Sequence, residues 1–410
     1  MLFDKQSNFL RTDYRSRNFK GDWTKHFIDD YIDSVSSKGR DKTQAIFSEF
    51  KSEHLPTDLY KFMPPTIYSL ANIIQGTIHL SSPKVFNDPF DSYLFVNEEC
   101  FKKKFLLSKL KEQQLVTDVE ESTDLLTTKE YWEIYYSRCE GEKKNFNRKS
   151  FWSTIYEISK GKSDNFQRQF NYIITDARNA CNSKMKSLRD TVYRISSFSH
   201  FSDEEELLEN TTMWSHYADN HRGFCVKYKL DFEHSDFREI LLCGLFPVRY
   251  RAKTEEITAN QLFNLKEKNN ELIIDDNVKK KILKSHITKS RFWSYEKEWR
   301  LILSQRNCCL LYENNIIFPK IEAIYLGSRV DKSIEKLLVQ FGEMYNIQIF
   351  KTKKSDYKFT LSAYPIDNSS QKSDEFFYKI KKLDSIKDKE DRQNLLSVLH
   401  KEWFEIKKVD

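Results

Sequence analysis

Residues 213–228 read MWSHYADNHRGFCVKY and organise the predicted fold. Two histidines, an Arg, a Trp and a Tyr fall within ten residues, which is more polar chemistry than a core element needs. The pattern predicts a helix that ends near residues 220–221, a left-handed C-cap at Gly223 and a strand over 224–228. We expect this joint between helix and strand to form one wall of a cleft. It carries three polar side chains: His216, Tyr217 and Arg222.

Length and composition limit the class of protein. At 410 residues, the chain exceeds one average domain or holds a large insertion, and 39% hydrophobic residues suffice for a core. Seven cysteines form no Cys-x-x-Cys pair, so we expect a reducing cytoplasm rather than a disulfide framework or zinc ribbon. No apolar run reaches about 18 residues, so neither export nor a membrane span is expected. The net charge of +6 permits a nucleic-acid or nucleotide partner without requiring one.

The predicted fold class is α+β, with a mostly antiparallel split β-sheet wrapped by helices. Alternating apolar residues predict strands near residues 59, 78, 194, 225, 248, 300, 323 and 349. Residues 1–54 are expected to form a helical lead-in, and 55–350 a catalytic-type core with a helical insertion at 98–190. Residues 351–410 are expected to form a strand and a charged helical tail.

Several catalytic signatures are absent from the sequence. It has no His-Glu-x-x-His, Walker loop, Gly-x-Ser-x-Gly or dinucleotide-binding glycine motif. His216 and His221 are five residues apart, so on an ideal helix they lie roughly 140° apart and do not converge on a metal ion. No metal is therefore predicted. Cys225 lies in a predicted strand, where a small buried side chain is a commoner role than a nucleophile.

The loop at residues 83–91, PKVFNDPFD, places an amide and two carboxylates close together. Asn-Asp-Pro is a turn signal, because the residue before proline is pushed out of the helical region. Asn87, Asp88 and Asp91 therefore have two interpretations. They either fix an Asx-turn or contact a ligand.

Three strand-borne clusters suit the handling of a nicotinamide riboside. They are LYKF at 59–62, SSFS at 196–199 and EKEWR at 296–300. A cation or aromatic edge would hold the pyrophosphate or ribose, and hydroxyls would brace the site. A glutamate would bind the ribose 2′-hydroxyl and stabilise positive charge as the glycosidic bond breaks. Glu296 and Glu298 share one face if the strand begins at Tyr295.

Four separated motifs resemble a widespread bacterial family known as domain of unknown function 2971. They read SSPKVFNDPFD at 81–91, SSFS at 196–199, MWSHYADNHRGFC at 213–225 and YEKEWRLI at 295–302. The later AIYLGS at 323–328 is also similar to the family pattern. The resemblance covers roughly residues 59–350 and implies no established chemistry.

The same clusters resemble the ADP-ribosyltransferase superfamily, which implies an ADP-ribosyltransferase-like split sheet and NAD as substrate. Lys61, or alternatively Tyr60, would stand for the early-strand arginine of that superfamily, and Ser197-Phe-Ser199 for its Ser-Thr-Ser. Lys61 lacks the bidentate fork of arginine. By this resemblance Glu298 binds the ribose 2′-hydroxyl and Glu296 positions the acceptor. The implied catalytic residues are Glu298, Glu296, His216 and Tyr217, and the implied NAD-binding residues are Tyr60, Lys61, Asn87, Asp88, Ser197, Ser199 and Arg222.

Three functions remain open from the sequence. The first is an NAD-dependent ADP-ribosyltransferase-like toxin or anti-phage effector that modifies nucleic acid or protein, with an inhibitory partner protein as a further expectation. The second is a nuclease or other hydrolase that uses two histidines and two carboxylates, with or without a divalent metal: His216, His221, Asp88 and Asp91. It predicts that His216 lies within about 5 Å of Asp88 and Asp91. The third is a non-catalytic binding module, whose polar groups pair with one another, for example Glu298 with Arg300.

Overall fold

The computed structural model describes residues 23–24, 27–28, 51, 53–112, 164–230, 244–268, 271–304, 314–318, 320–366 and 389–406. The chain forms two compact units. The larger unit comprises Met1–Asn87, Tyr193–Ala252 and Ile287–Asp410, and the second comprises Asp88–Val192 and Lys253–His286. Most of the predicted lead-in at 1–54, and residues 367–388 of the predicted tail, lie outside the described residues.

The larger unit holds most of the strands. In chain order they are β1 Asp58–Met63, β2 Thr77–His79, β4 Tyr193–Ser199, β5 Phe224–Lys229, β6 Leu245–Pro247, β7 Arg249–Arg251, β11 Thr288–Ser290, β12 Glu298–Ser304, β13 Asn315–Ile317, β14 Ile321–Leu326, β15 Gln348–Lys354 and β16 Leu361–Pro365. Its helices are α1 Ile67–Gln75, α4 Glu204–Glu209, α5 Thr211–Tyr217, α8 Lys332–Tyr345 and α9 Lys389–Ile406. Two 3₁₀ turns, Pro83–Val85 and Arg291–Glu296, complete it.

The second unit is mainly helical in its described residues. Its elements are β3 Leu94–Phe95, α2 Glu98–Glu112, α3 Asp164–Thr191, β8 Glu255–Glu256, α6 Ala259–Phe263, β9 Lys266–Lys268, β10 Glu271–Ile273 and α7 Asp276–His286. The Lys184 ammonium on α3 donates to the carbonyls of Leu262, Phe263 and Leu265, which fixes α3 against the end of α6. The predicted insertion at 98–190 is thus helical where it is described, and residues 253–286 join the same unit.

Eight strands form one sheet in the order β16-β15-β14-β5-β1-β4-β12-β6. Every neighbouring pair is antiparallel except β14 and β15. The α+β class is therefore confirmed. The predicted strand near residue 78 lies outside this sheet, because β2 pairs with β13. The strand β16 lies within the segment 351–410, for which a strand and a charged tail are predicted.

The sheet has a weak seam between β1 and β4. β1 pairs with β5 at six positions, but it pairs with β4 only where Tyr60 faces Ser199. The edge of β4 then takes Ser81 as its partner, because the amide and carbonyl of Ile195 both bond to it at 2.8 Å. Between these two points, Ser196–Phe198 form no ladder with β1. The strands therefore diverge at the middle of the sheet.

Each face of the sheet buries its own apolar cluster. One cluster includes Leu59, Phe198, Val226 and Leu301, and it also takes in Leu399 of α9. A helix in the region predicted as a charged tail therefore contributes to the core. The other face packs Tyr60, Phe62, Cys225 and Tyr325 against Trp214 of α5. Within the described residues, no helix is long and apolar enough to cross a membrane.

Candidate functional site

The segment between α5 and β5 differs from the predicted cap. α5 ends at Tyr217, and the backbone then enters the left-handed region at Asp219, Asn220 and His221, with φ values of 48°, 53° and 69°. Asn and Asp tolerate this region better than most residues, whereas His221 is held by backbone bonds. The His221 amide donates to the Trp214 carbonyl, and the Arg329 amide donates to the His221 carbonyl. The prediction that Gly223 supplies the left-handed cap is therefore wrong.

Gly223 is required for a different reason, which is close backbone packing. A Cβ atom at this position would lie 2.1 Å from the Met63 carbonyl oxygen. Its carbonyl also accepts a bond from the Gly327 amide at 2.8 Å. Because no side chain fits between these strands, the polar loop stays fixed against the ends of β1 and β14.

Glu296 and Glu298 do not share a strand face as predicted. β12 begins at Glu298, and Glu296 ends the 3₁₀ turn Arg291–Glu296. Lys297, between them, is left-handed with φ of 44°, and this reverses the chain direction locally. The two carboxylates nevertheless meet, because both contact the same cation.

That cation is Lys289, on β11. Its ammonium donates to Glu296 Oε2 at 2.5 Å and to Glu298 Oε2 at 3.2 Å. It also lies 5.0 Å from the centre of the Trp293 ring. All three charged groups are buried, so their charges interact strongly through a low dielectric. Lys289 is the centre of the site, and sequence reasoning missed it.

Glu298 is held by fixed donors. Arg300 is fully buried two residues further along β12, and it donates Nε to Oε1 at 2.7 Å and its terminal nitrogen to Oε2 at 2.9 Å. The Ser197 hydroxyl, opposite Arg300 on β4, also bonds to the carboxylate. Burial alone would raise the pKa of Glu298, but attraction to Arg300 and Lys289 outweighs it and lowers the pKa to about 2. Glu298 therefore stays ionised.

Glu296 has the opposite character. Burial, followed by repulsion from Glu298, raises its pKa to about 7, although Lys289 and the Tyr217 hydroxyl oppose the shift. Tyr217 donates to Glu296 Oε1 at 2.5 Å, and the Asn87 amide reaches the Tyr217 oxygen at 3.5 Å. At neutral pH Glu298 is therefore ionised, whereas the neighbouring Glu296 is partly protonated. We call Lys289, Glu296, Glu298 and Arg300 the carboxylate cluster.

Lys61 and Ser196 lie on the face of the sheet opposite to the one that carries Glu298. The Lys61 ammonium donates to Ser196 Oγ at 3.0 Å and to the Ser197 carbonyl at 2.7 Å, and it lies 4.7 Å from the Phe198 ring centre. It thus supplies a donor where β1 and β4 do not pair. Loss of hydration lowers its pKa to about 8, and the more distant Glu298 charge opposes this. Tyr60 and Ser199 are buried side by side, on the face that carries Glu298.

A partly exposed aromatic rim surrounds the carboxylate cluster. His216 is exposed, and its Nδ1 lies 3.1 Å from the Tyr295 hydroxyl. Its ring packs edge-on against Tyr217, Trp293 and Tyr295 at centroid distances of 6.1–6.2 Å. The predicted residues His216 and Tyr217 thus meet Glu296 and residues from the 3₁₀ turn. Trp214, by contrast, is fully buried core.

The remaining predicted residues are placed as follows. Asp88 fixes an Asx-turn, because its Oδ1 accepts from the Phe90 amide at 2.9 Å, and Asp91 accepts from the Ser92 hydroxyl. Arg222 is exposed at the end of the loop.

Burial raises the pKa of the Cys225 thiol well above its usual range, so this thiol is not a ready nucleophile. No group of three or more His, Cys, Asp or Glu side chains suited to a metal ion occurs among the described residues.

Comparison with known proteins gives one match. Residues 213–301 match the family described as protein of unknown function (DUF2971). The DUF2971 resemblance is thereby confirmed, over a shorter range than the sequence motifs indicate. The matched range contains Tyr217 and all four members of the carboxylate cluster. No curated protein and no solved structure matches the chain.

Proposed function

We propose that the carboxylate cluster binds NAD and breaks its nicotinamide–ribose bond, as in the ADP-ribosyltransferases that the sequence resembles. The observation that carries this proposal is a pair of buried carboxylates that share the Lys289 ammonium, of which only Glu298 also receives the Arg300 fork. These contacts lower the pKa of Glu298, whereas burial beside Glu298 raises the pKa of Glu296 to about 7. Pairs of carboxyl groups driven apart in this way are typical of acid–base sites. The two groups would therefore have different roles.

Glu298 supplies fixed negative charge. Cleavage of the glycosidic bond leaves positive charge on the ribose, and an ionised carboxylate nearby stabilises it. Arg300 and the Ser197 hydroxyl hold the carboxylate in one orientation, so little reorganisation is needed when the charge develops. This keeps the role that the superfamily resemblance implies for Glu298.

Glu296 would act as the general base. The C–N bond between nicotinamide and ribose breaks, and its electron pair leaves with nicotinamide, which departs neutral. An acceptor hydroxyl or amine forms the new bond to the ribose carbon, and its proton passes to Glu296. A pKa of about 7 suits this transfer, because the base is partly ionised at neutral pH and still binds a proton well.

The aromatic rim offers a surface for a planar ring. Trp293, Tyr295 and His216 lie next to Glu296, and each is at least partly exposed. Stacking on such rings would orient nicotinamide toward the ionised carboxylate of Glu298.

The divergence of β1 and β4 at the middle of the sheet is consistent with the split sheet of the ADP-ribosyltransferase superfamily. A role as a toxin or anti-phage effector, with nucleic acid or protein as acceptor, remains part of this proposal.

A second candidate, a non-catalytic binding module, is favoured by one observation. Glu298 receives two bonds from Arg300, one from Lys289 and one from Ser197, which fills about all four of its acceptor positions. A carboxylate with no acceptor position left would serve the fold rather than a substrate. Among the described residues, Glu296 receives bonds from Tyr217 and Lys289 alone, so a substrate can still bond to it, and variants of Glu296 distinguish the two candidates.

The test uses NAD labelled on the adenylate phosphate, purified full-length protein and cell extract. We expect wild type to transfer label to macromolecules and Glu296→Gln to lose at least about 100-fold of the rate. The matched control is Glu322→Gln, since Glu322 is a partly exposed carboxylate paired with Lys227 outside the site. Absence of both label transfer and NAD loss in wild type would leave the binding module as the better account.

A further inference from the structure

A basic cavity lies at the β15–β16 hairpin. Its volume is about 480 Å³, within the range of sites for small ligands. Five cationic side chains line it: Arg329, Lys351, Lys353, Lys354 and Lys358. None of them belongs to the carboxylate cluster. Thr211, at the first position of α5, lies in the cavity wall, and Tyr217, at the last position of the helix, contacts Glu296.

The positive charge of the cavity is mostly unbalanced. Lys351 pairs with Glu335 on α8. Among the described residues, no carboxylate lies within ion-pair distance of Arg329, Lys353 or the remaining two lysines. Arg329, Lys353, Lys354 and Lys358 are exposed around one concave surface. Cations of one sign that line a cleft concentrate positive potential there, which indicates an anionic ligand.

His221 forms part of the cavity wall. Its ring stacks on Trp214, and its Nε2 lies 3.2 Å from the Ser215 hydroxyl. The Arg329 amide donates to the His221 carbonyl at 2.9 Å, which joins two segments of the cavity wall.

Aromatic side chains stand next to the cations. Tyr357 and Phe359 are fully exposed in the turn between β15 and β16, and Tyr364 on β16 is half-exposed. Phe359 and Tyr364 line the cavity. Exposed rings interleaved with lysines are typical of surfaces that bind single-stranded nucleic acid, where bases stack and cations follow the phosphates. A bilayer surface is flat and would not require a concave site.

We propose that this cavity binds single-stranded nucleic acid, with phosphates against Arg329, Lys353 and Lys354 and a base stacked on Phe359. The cavity would hold one nucleotide, and the hairpin would guide the strand on either side. This site stands apart from NAD chemistry, because binding requires no catalysis. If the proposed function also holds, the site favours nucleic acid over protein as the acceptor.

The test is fluorescence anisotropy with the full chain and labelled oligo-dT and oligo-U of roughly 12 nucleotides, without NAD. We expect the double variant Lys353→Ala/Lys354→Ala to bind about tenfold or more weakly and to lose about two units of the slope of log K against log salt. The matched control, Lys229→Ala/Lys320→Ala, removes the same charge from exposed positions outside the cavity. It should bind like wild type.

A second pair of variants tests stacking. Phe359→Ala should weaken binding by about 5- to 100-fold, whereas Tyr68→Ala, which removes another exposed ring, should have little effect. Because all these side chains are exposed, thermal unfolding should be unchanged. Binding of neither oligonucleotide by wild type, equal binding by all variants, or binding only to vesicles that contain phosphatidylserine would overturn the proposal. None of these outcomes bears on NAD cleavage.

Discussion

The carboxylate cluster and the basic cavity handle charge in opposite ways. In the cluster, two buried cations and two buried carboxylates contact one another, and Arg300 makes a bidentate pair with Glu298. In the cavity, five cations line a concave surface, and Lys351 alone has an ion-pair partner in the part of the chain that the structure describes. Internal pairing fixes geometry and shifts pKa values, whereas unbalanced charge attracts an external partner. The first arrangement suits chemistry and the second suits binding.

The largest expected effect is on Arg300. Arg300→Met leaves Glu298 buried with only part of its positive surroundings, so we expect a loss of about 3–5 kcal/mol in the free energy of unfolding. Urea unfolding measures this loss. The control Lys336→Met removes an exposed cation and should change stability by less than about 0.5 kcal/mol. Similar values for both variants would mean that the cluster is no more tightly coupled than the surface.

The free energy of unfolding should depend on pH because Glu296 in the carboxylate cluster changes protonation. The pKa of Glu296 is about 7 when folded and near 4.5 when unfolded, so the folded state binds the proton more tightly. The free energy of unfolding, relative to that of Glu296→Gln, should therefore fall by about 3 kcal/mol as pH rises from about 4.5 through about 7, and then level off. Parallel pH curves for the two proteins would show that Glu296 does not titrate in this window.

The loop that joins the two regions should be sensitive to added volume. Gly223→Ala places a Cβ 2.1 Å from the Met63 carbonyl oxygen, and backbone cannot move aside easily. We expect a loss of about 1–3 kcal/mol in thermal or urea unfolding. Gly76→Ala is the comparison, since that glycine has φ of 65° with nothing near its Cβ position. It should cost about 1–2 kcal/mol from backbone strain alone. Unchanged stability in Gly223→Ala would remove the packing explanation.

The smallest expected effect is on the cavity. Lys353→Ala/Lys354→Ala removes exposed like charges, so the free energy of unfolding should stay within about 0.5 kcal/mol of wild type. Calorimetry measures the shift. A loss of several kcal/mol would mean that these lysines are paired in the fold, as the cluster residues are.

The sequence predicted the longer strands near residues 59, 194, 225, 300, 323 and 349, because each has a local apolar pattern. The Met213–Lys229 region was interpreted correctly as helix then strand, and the Glu296–Arg300 motif was correctly singled out. Lys289 was missed because it sits in a three-residue strand, and it meets the glutamates only after Lys297 turns the chain. The separate pKa values could not be predicted either, since they depend on burial and on Arg300. The cavity could not be predicted either, because only folding brings Arg329 and His221 beside the lysines of residues 351–358.

Nicotinamide release from NAD, followed across pH in wild type and Glu296→Gln, shows whether Glu296 is the general base. We expect the wild-type rate to rise with pH through about 7, as Glu296 ionises, and then to level off. Glu296→Gln should be slow and independent of pH over the same range. Wild-type release that does not depend on pH, or equal release by the variant, would contradict Glu296 as the base. No release at any pH would contradict NAD cleavage itself.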